Sequence, residues 1–433
     1  MSAHQGKPQA RDPVSDDDTA FARFVPRQFL ELLGRRSIAE VELGDHVEKH
    51  MTLLFSDIRD FTALSQSILP AENFRFINSY LHVMEPVVGQ HHGIIDKYVG
   101  DAIMALFPGS ADDGIRAGID MLRRLVSYNE GRVRAGYIPI RIGIGINSGL
   151  VMMGTVGGHT RMDSTVIGDA VNFASRLESL TKMYGTPLVI SEQTLNSLED
   201  RTAYSIRFID RIHVKGRMQA YSVYEVFDAD PEPLWRAKQE MSQPFNEALA
   251  NFHLGYPERA LPLLIDCVEI APDDRVVLHY IERCQNEASH VRRDDNPLLD
   301  IAWFQEYAVG IDEIDRQHRE LIGELSALAR QVGRDDTGLD LGLLRLTELL
   351  HRHADTEENL MRRYQYPFAE NHLNEHRIHA RSVAALCEDL RRGEQSSTQL
   401  LFQVHLVLSD WLVNHITSSD FHLGHFLQRA GVQ

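Results

Sequence analysis

Residues 94–107, IIDKYVGDAIMALF, carry the most informative pattern in the chain, two strand-like apolar runs joined at Gly100-Asp101. Glycine followed by aspartate between two such runs is typical of a tight hairpin turn. A second apolar run, MTLLFSDIRDFT at residues 51–62, also ends at an aspartate, Asp57. The pattern predicts a β-sheet in which the two aspartates lie at the ends of adjacent strands.

These two aspartates indicate a site for hard divalent cations. Carboxylate oxygens are the ligands that Mg²⁺ prefers and that Mn²⁺ also takes. Two such ions can lower the pKa of an attacking hydroxyl and neutralise a leaving pyrophosphate. Taken singly, Asp57 also fits a helix N-cap and Asp101 a plain hairpin turn. The interpretation therefore depends on the residues that accompany them.

The chain has 433 residues, which is too long for one core and predicts about three domains. Residues 1–19 are polar and are predicted to be disordered. Residues 20–230 start with an amphipathic lead-in helix and then alternate strand-like and helix-like runs, which predicts an α+β domain with a mostly antiparallel sheet. Residues 231–297 are predicted to be helical, and residues 298–433 to form an antiparallel four-helix bundle. The expected fold class is therefore multidomain.

Composition excludes several classes of partner. The formal net charge of −18 argues against nucleic acid and against an anionic membrane surface, because both need a basic face. The three cysteines are an odd number without metal-type spacing, which fits a reducing compartment. The first residues lack the apolar core of a signal peptide, and no run reaches the length of a membrane span. We expect a cytoplasmic protein.

The helical segment contains FNEALANFHLGYPERALPLLIDCVEIAPDD at residues 245–274. Small residues at Ala248 and Ala260, a turn at Gly255 and Pro272 after the second helix resemble one tetratricopeptide-type hairpin. A single repeat cannot bury its own faces, so it would serve as a connector or as a docking element for a protein partner. An ordinary linker hairpin explains the same pattern equally well.

A third polar motif follows in the first domain. The stretch STVIGDAVNFASRLE, residues 164–178, places Asn172 and Arg176 four residues apart and so on one helical face. Together with the two aspartate turns, this makes residues 43–227 resemble the catalytic domain of class III nucleotide cyclases. The resemblance implies a ferredoxin-like βαββαβ core.

The resemblance also implies the metal ligands and the reaction. Asp57, Asp101 and the main-chain carbonyl of Ile58 would hold two Mg²⁺ or Mn²⁺ ions. The ribose 3′-hydroxyl would then attack the α-phosphorus in line, and pyrophosphate would leave.

The remaining polar residues are assigned to the substrate, again by resemblance. Arg141 would hold the β- and γ-phosphates, and Lys215 would bind the terminal phosphate. Asn172 would orient the ribose, and Arg176 would stabilise the charge that grows on the α-phosphate.

By the same resemblance, Lys97 and Thr165 would determine which nucleotide base is bound. A lysine can donate to adenine N1, and a threonine hydroxyl can accept from the 6-amino group, whereas guanylyl members of the family carry Glu and Cys at these positions. ATP is therefore the expected substrate, with a guanylate cyclase as the alternative. A hydroxyl can also donate, so base discrimination is expected to be looser than with an aspartate.

In this family the active site is shared between two subunits, which implies a homodimer with two equivalent sites. One protomer supplies the two aspartates and Arg141. The other protomer supplies Lys97, Thr165, Asn172, Arg176 and Lys215.

The last segment contains ten of the 21 histidines. Seven potential ligands lie on apolar helix faces, which directs them into the bundle. They are His318, His353, Glu357, His372, His376, His415 and Asp420. Imidazoles with two carboxylates able to bridge form a nitrogen-rich set that favours two iron ions over Mg²⁺ or Ca²⁺.

The motifs IDRQH (314–318), HADTEENLM (353–361), YPFAENHLNEH (366–376) and WLVNHITSSD (411–420) resemble a bacterial hemerythrin. That resemblance implies a di-iron pair bridged by Glu357 and Asp420, with an open position on one iron for O₂ or a similar small ligand. Family members usually have Phe after the second histidine, whereas this chain has Ala354, which predicts a pocket that is wider or more readily autoxidised.

The sequence therefore predicts a homodimeric adenylate cyclase whose activity is regulated by an O₂- or redox-sensing di-iron domain. An oxygen-binding hemerythrin protein with a vestigial cyclase domain is the alternative from another class.

Overall fold

The computed structural model describes residues 27–66, 68–158, 161–213, 220–287, 303–331, 339–392, 396–404, 406 and 411–432. The predicted disordered segment 1–19, the start of the lead-in helix before residue 27, the end of the predicted linker and Lys215 lie outside these residues. The described residues divide into two compact units. The first contains the chain up to Ile140 and Asn147–Ser175, and the second contains Arg141–Ile146 and the chain from Arg176 onward.

The first unit is built on a sheet with the strand order β2-β3-β1-β4, and β5 pairs with β4. Its strands are β1 (His46–Ile58), β2 (Ile94–Val99), β3 (Ala102–Phe107), β4 (Ile142–Gly158, which begins in the second unit) and β5 (Arg161–Ile167). Its helices are α1 (Arg27–Leu32), α2 (Phe61–Gln66), α3 (Pro70–Gln90), α4 (Ala111–Arg134) and α5 (Asp169–Tyr184, which ends in the second unit). The β1–β3, β2–β3 and β4–β5 pairs are antiparallel.

Strand β3 lies in the buried core of this unit. Ile103, Ala105, Leu106 and Phe107 have no exposed area, as expected for a strand that is covered on both faces. Helix α4 packs closely against strand β1 at Gly114. A Cβ added to this glycine would lie only 2.8 Å from Cγ2 of Thr52 on β1. The α4 helix starts at the Ser110 cap, whose hydroxyl accepts from the Asp112 amide.

The second unit begins with the other part of the sheet. The first residues of β4 pair in parallel with β6 (Leu188–Ser191), which is followed by the short helix α6 (Glu192–Asn196). Strand β6 is antiparallel to β8 (Ala220–Val226), and β8 is antiparallel to β7 (Ile206–His213). The predicted α+β fold is confirmed, and its sheet is mixed because one strand pair is parallel.

Four helices follow the sheet, where the sequence pattern predicted one hairpin. They are α7 (Glu232–Glu240), α8 (Ser242–His253), α9 (Pro257–Ile270) and α10 (Arg275–Glu287). Gly255, between α8 and α9, has a φ of +81°, a conformation that favours glycine.

Buried ion pairs fasten these helices to β7 and β8. Arg207 Nε lies 2.6 Å from Glu225 Oε2, and Lys238 Nζ lies 2.7 Å from Glu225 Oε1. Burial alone would raise the pKa of Glu225, but the two cations lower it below its ordinary value. Asp210 accepts from the hydroxyls of Tyr184 and Tyr280 at 2.6 and 2.9 Å. These contacts hold α7 and α10 on strands β8 and β7.

The C-terminal region is helical, as predicted. Its helices are α11 (Asp312–Gln331), α12 (Leu339–Tyr364), α13 (Ala369–Arg392), α14 (Ser397–Val404), α15 (Trp411–His415) and α16 (Phe421–Arg429). A π-turn, Ile416–Asp420, joins α15 to α16. The hydrogen bonds of a π-turn link residues i and i+5. A π-turn therefore places residues five apart, such as His415 and Asp420, on the same side of the helix.

Among the described residues, none of the helices combines the length and the apolarity needed to cross a membrane.

His253 links the stability of the second unit to pH. Its ring stacks on Phe402 at 5.3 Å between centroids, and burial lowers its pKa to about 3. The unfolded chain has an ordinary histidine pKa near 6.5, so it binds the extra proton first as pH falls. The stability that His253 contributes is present above pH 6.5 and is lost towards pH 3, at about 1.4 kcal/mol per pH unit.

We therefore expect the wild-type protein to lose more unfolding free energy between pH 7.5 and 5.5 than the His253→Phe variant. Urea unfolding followed by tryptophan fluorescence measures this in the second unit, since all three tryptophans lie in its sequence. Parallel pH profiles of the two proteins would contradict the assignment. His422→Phe, at an exposed histidine, is the control.

Candidate functional site

Asp57 and Asp101 lie together in the first unit. Asp57 is near the end of β1, and Asp101 follows Gly100, which has a φ of +67° in the turn between β2 and β3. The main-chain N–H of Ile58 donates to Asp57 Oδ1 at 3.1 Å and to Asp101 Oδ2 at 3.2 Å. One amide thus contacts both carboxyl groups, which places Ile58 beside them.

The electrostatics of this pair favour a cation. Partial burial and the neighbouring Asp57 carboxyl raise the pKa of Asp101 to about 7. Two carboxylates held this close repel each other when both are ionised. A divalent cation between them replaces that repulsion with attraction, and oxygen donors are what Mg²⁺ and Mn²⁺ require.

Lys97 and Thr165 also meet in the first unit. Lys97 lies on β2 and its Nζ donates to Thr165 Oγ1 on β5 at 3.3 Å. The same ammonium lies 3.3 Å from the buried carboxyl of Asp96. Asp96 was not among the residues predicted from the sequence, although it directly precedes Lys97. It holds the lysine beside the threonine by charge.

The other predicted substrate residues are exposed. Asn172 and Arg176 lie one turn apart on an exposed face of α5, and Phe173 and Leu177 are buried on the neighbouring face. Arg141 directly precedes β4 and is also exposed. Lys215 lies outside the described residues. The described chain thus presents these groups at its surface.

The seven predicted ligands of the C-terminal region converge in one buried cluster, which we call the di-metal cluster. Glu357 Oε2 lies 3.0 Å from His372 Nε2, 3.1 Å from His376 Nε2 and 3.5 Å from His353 Nε2. Asp420 lies 3.0 Å from His318 Nε2 through Oδ2 and 2.9 Å from His415 Nε2 through Oδ1.

The donors form two groups that share Glu357. One group is Glu357, His372, His376 and His415, and the other is His318, His353, Glu357 and Asp420. The first group offers three imidazoles and one carboxylate, and the second offers two imidazoles and two carboxylates, so each group could hold one metal ion.

The chemistry of the cluster fits metal ions. Burial alone would raise the pKa of Glu357 and Asp420, but the surrounding imidazoles lower both well below their ordinary values. Glu357 Oε1 and His353 Nε2 are buried without a hydrogen-bond partner among the described residues. Buried polar atoms of this kind are costly unless something coordinates them. Imidazole with carboxylate suits iron and similar transition metals.

Outer residues orient the ligands, and the sequence pattern did not predict them. Nδ1–H of His415 donates to Glu375 Oε2 at 2.9 Å, and Ser419 donates to the same oxygen at 2.6 Å. Nδ1–H of His353 donates to Gln317 Oε1 at 3.4 Å. Such contacts fix the tautomer that leaves Nε2 free for a metal. Glu375 directly precedes His376, and Gln317 directly precedes His318, which is the signal that could have identified them.

Two family models match the chain. Residues 45–225 match the adenylate and guanylate cyclase catalytic domain. Residues 309–427 match the hemerythrin HHE cation binding domain.

The chain is also similar to curated and solved cyclases. It is 45% identical over 213 residues to an adenylate cyclase of Anabaena cylindrica, which covers 48% of this chain and 42% of the relative. It is 35% identical over 289 residues to the terminal-differentiation specific adenylate cyclase of Dictyostelium discoideum, covering 65% of this chain and 14% of the relative. The crystal structure of the adenylyl cyclase CyaB from P. aeruginosa is 33% identical with a TM-score of 0.38, covering 42% of this chain and 96% of that one.

The chain thus spans less than half the length of these two curated relatives. The predicted family assignment is confirmed for both regions. The chain combines an adenylate and guanylate cyclase catalytic domain with a C-terminal hemerythrin HHE domain.

Proposed function

We propose that this chain converts ATP to 3′,5′-cyclic AMP and pyrophosphate as a homodimer, and that its hemerythrin region regulates the reaction. The observation that carries the cyclase proposal is the Asp57–Ile58–Asp101 arrangement, in which one amide contacts two carboxyl groups at strand ends. The curated relatives named adenylate cyclase support the same activity.

Each predicted site residue has a defined role in this proposal. Asp57 and Asp101 hold the Mg²⁺ or Mn²⁺ ions, with the Ile58 carbonyl as a further ligand. When bound, these ions supply Lewis-acid activation of the ribose hydroxyl and neutralise phosphate charge. Asn172 orients the ribose, and Arg176 stabilises the α-phosphate as its charge grows.

The triphosphate tail is held by cations from the chain. Arg141 grips the β- and γ-phosphates, and Lys215 binds the terminal phosphate. Because phosphate oxygens are strong acceptors, these contacts keep the α-phosphorus in line with the attacking hydroxyl.

The Lys97–Thr165 contact supports ATP over GTP. The lysine ammonium donates to adenine N1, while the threonine hydroxyl, held beside it at 3.3 Å, accepts from the 6-amino group. Guanine presents the reversed pattern, so its N1–H donor would face the Lys97 ammonium, which is also a donor. A guanylate cyclase remains the second candidate, because a hydroxyl can also donate.

A homodimer is supported by the surface of the first unit. Strands β2, β4 and β5 expose apolar side chains next to the proposed base-binding residues. They are Tyr98, Val99, Met152, Val156, Met162 and Ile167. Exposed apolar groups gathered on adjacent strands are typical of association surfaces. A second copy covering them would bring its own aspartates to the exposed Asn172 and Arg176.

The test of the cyclase proposal is product analysis with ATP and with GTP in the presence of Mn²⁺. We expect cyclic AMP, at a rate at least about tenfold above that of cyclic GTP, since one mispaired buried hydrogen bond costs about 1–3 kcal/mol. No product with either nucleotide would leave the vestigial cyclase as the better interpretation.

The C-terminal proposal is a di-iron centre held by the di-metal cluster, two ions per chain, with O₂ or a similar small ligand on one iron. The two donor groups of the cluster support two ions per chain. Near-ultraviolet and visible absorption together with iron analysis tests the metal and its stoichiometry.

Regulation requires a contact between the two regions, and the second unit contains one. Helix α13 carries His372 and His376 and continues to Ser382, about 9 Å beyond His376 at 1.5 Å per residue. The Ser382 hydroxyl accepts from Arg201 Nη2 at 3.0 Å, and the same Nη2 donates to Asn196 of α6 at 2.6 Å. A shift of α13 at the di-metal cluster would therefore reach the cyclase region through a rigid helix and one hydrogen bond.

A second contact lies beside the first. Phe402 of α14 packs edge-on against Phe208 of β7 at 5.2 Å between centroids and stacks on His253 of α8. The bundle thus contacts both the cyclase strand and the linker. A ligand that favours one arrangement of α13 can bias these contacts only by its differential affinity for the two states.

Ser382→Ala is expected to weaken regulation while basal activity is retained. Loss of one hydrogen bond of about 0.5–1.5 kcal/mol reduces the activity ratio between ligand-bound and ligand-free enzyme by about 2- to 10-fold. Cyclic AMP formation measured anaerobically and in air gives that ratio. Arg201→Ala should behave in the same way, and Arg236→Ala, at an exposed arginine, should not. An unchanged ratio in both interface variants would exclude this route.

A further inference from the structure

Helix α5 carries Arg176 and ends at Tyr184, a tyrosine with no exposed area. The residues between them contain neither glycine nor proline. The helix is therefore continuous and spans about 12 Å from Arg176 to Tyr184 at 1.5 Å per residue. Leu177 and Thr181, which are also buried, precede Tyr184 at helical spacing. The buried side of α5 thus ends at a tyrosine, and the placement of this end affects where Arg176 lies.

A buried carboxylate holds the hydroxyl of Tyr184. The hydroxyl donates to Asp210 Oδ2 on β7 at 2.6 Å. Burial, followed by the charge of Asp210, raises the pKa of Tyr184, so the tyrosine keeps its proton and remains a donor. Burial alone would raise the pKa of Asp210, but Arg283 and the donated hydrogen bonds lower it, so the acceptor is ionised. A hydrogen bond to an ionised acceptor is stronger than one between neutral groups.

The linker helices supply the other partners of Asp210. Tyr280 of α10 donates to Asp210 Oδ1 at 2.9 Å, and Arg283 Nη1 of the same helix lies 2.9 Å from Oδ2. His253 of α8 contacts the Tyr280 hydroxyl through Nε2, also at 2.9 Å. Asp210 therefore joins the end of α5 to two helices of the linker.

Helix α10 also packs directly on the end of α5. The ring of His279 meets the ring of Tyr184 edge-on, at 5.5 Å between centroids. Gly185, which follows Tyr184, has a φ of +66°, and a Cβ added there would collide with the side chain of Arg275, the first residue of α10. The glycine thus permits both the turn that ends α5 and the close approach of α10.

We propose that Tyr184 is a positioning residue for Arg176, and that the linker helices α8 and α10 hold it in place through Asp210. The inference rests on the proposed function, in which Arg176 stabilises the charge that grows on the α-phosphate. A donor does this only at hydrogen-bonding distance from that charge, and a small displacement of a catalytic group is costly in rate. The linker is then part of the active cyclase and not only a connector to the C-terminal region.

The test measures kcat and KM for ATP with Tyr184→Phe in the full-length protein. The variant keeps the buried ring and loses the hydrogen bond to Asp210. We expect kcat to fall by about 3- to 10-fold with KM unchanged, because Arg176 acts in the transition state and not in substrate binding. Tyr280→Phe, which removes a linker hydroxyl from Asp210, should lower kcat in the same way by a similar or smaller factor.

A double variant separates positioning from general damage. If Tyr184 acts through Arg176, Tyr184→Phe should cost at most about twofold when Arg176 is already replaced by alanine. A loss of folded protein would instead lower kcat by the same factor in both backgrounds. The residual activity of Arg176→Ala is measured with Mn²⁺, and helical circular dichroism reports the folded fraction.

Tyr256→Phe and Tyr137→Phe are the matched controls. Tyr256 lies in the linker with its ring under Arg259, and Tyr137 is exposed. In the described part of the chain the hydroxyls that contact Asp210 are those of Tyr184 and Tyr280. Both control variants should therefore keep the wild-type kcat and KM.

Failure of the inference and failure of the proposed function give different results. Wild-type protein that forms no cyclic nucleotide from ATP rejects the cyclase proposal, and the inference with it. If the wild type is active but Tyr184→Phe keeps its kcat, or loses the same factor with and without Arg176, the cyclase proposal stands and the positioning role is overturned. An unchanged kcat in Tyr280→Phe would exclude the part assigned to the linker.

Discussion

Mixing Asp57→Ala protein with Arg176→Ala protein is expected to restore about a quarter of wild-type cyclase activity, although each variant alone is nearly inactive. Loss of a metal-binding carboxylate or of the charge-stabilising arginine should each lower the rate by at least about 10²- to 10³-fold. The recovery follows from the proposal that the two residues act in the same site from different protomers.

The expected fraction follows from random assortment. About half of the mixed dimers carry one variant of each kind, and in those one of the two sites has an intact aspartate pair facing an intact Arg176. The other site carries both substitutions. Half of the dimers with half of their sites gives about a quarter of the wild-type rate.

The control is a mixture of Asp57→Ala with Asp101→Ala. Both substitutions fall in the same metal-binding half, so every site in every dimer retains a defect and activity should stay low. Rates are measured as cyclic AMP formed after subunit exchange. Recovery in the control, or none in the first mixture, would show that the active site is not shared in the way proposed.

Local sequence signals predicted the hairpin that carries Asp101. Strands β2 and β3 occupy residues 94–99 and 102–107, the two predicted apolar runs, because a Gly-Asp pair between strand-forming residues determines the turn without help from tertiary contacts. The helical spacing of His353 with Glu357, and of His372 with His376, similarly directs these pairs to one side of a helix.

Other elements were not predicted. Helix α3, Pro70–Gln90, carries Pro86 inside, which counts against a helix, although its buried residues Tyr80, Met84, Val87 and Val88 recur at helical spacing. Strand β6 has four residues, which is too short for alternation to show. These elements are stabilised by tertiary packing, which a local pattern does not contain.

The spacing of His415 and Asp420 shows the same limit in the di-metal cluster. Five residues in an α-helix would turn the second side chain away from the first, and the π-turn Ile416–Asp420 accommodates that spacing. The Arg201–Ser382 hydrogen bond joins residues 181 positions apart, so no motif could identify it. The residues that converge in the di-metal cluster were named from the sequence, whereas the contacts between the C-terminal helices and strand β7 and helix α6 required the structure.

Removing the carboxylate shared by both donor groups should have the largest effect on the C-terminal region. Glu357→Ala deletes the group that lies within 3.5 Å of three imidazoles and leaves the five buried histidines with Asp420 as the remaining carboxylate of the cluster. We expect iron content to fall from two per chain to well below one. Ions present at a thousand times their dissociation constant stabilise the folded state by about 4 kcal/mol, which the variant would lose.

The expected signature is that Glu357→Ala unfolds at the temperature of chelator-treated wild-type protein, and that added iron raises the Tm of the wild type but not of the variant. Glu348→Ala, at an exposed position of the same helix, should retain both iron and Tm. If Glu357→Ala bound two irons, or melted with iron-loaded wild type, Glu357 could not be the bridge. Because the comparison includes metal-free wild type, it separates loss of the metal from loss of packing.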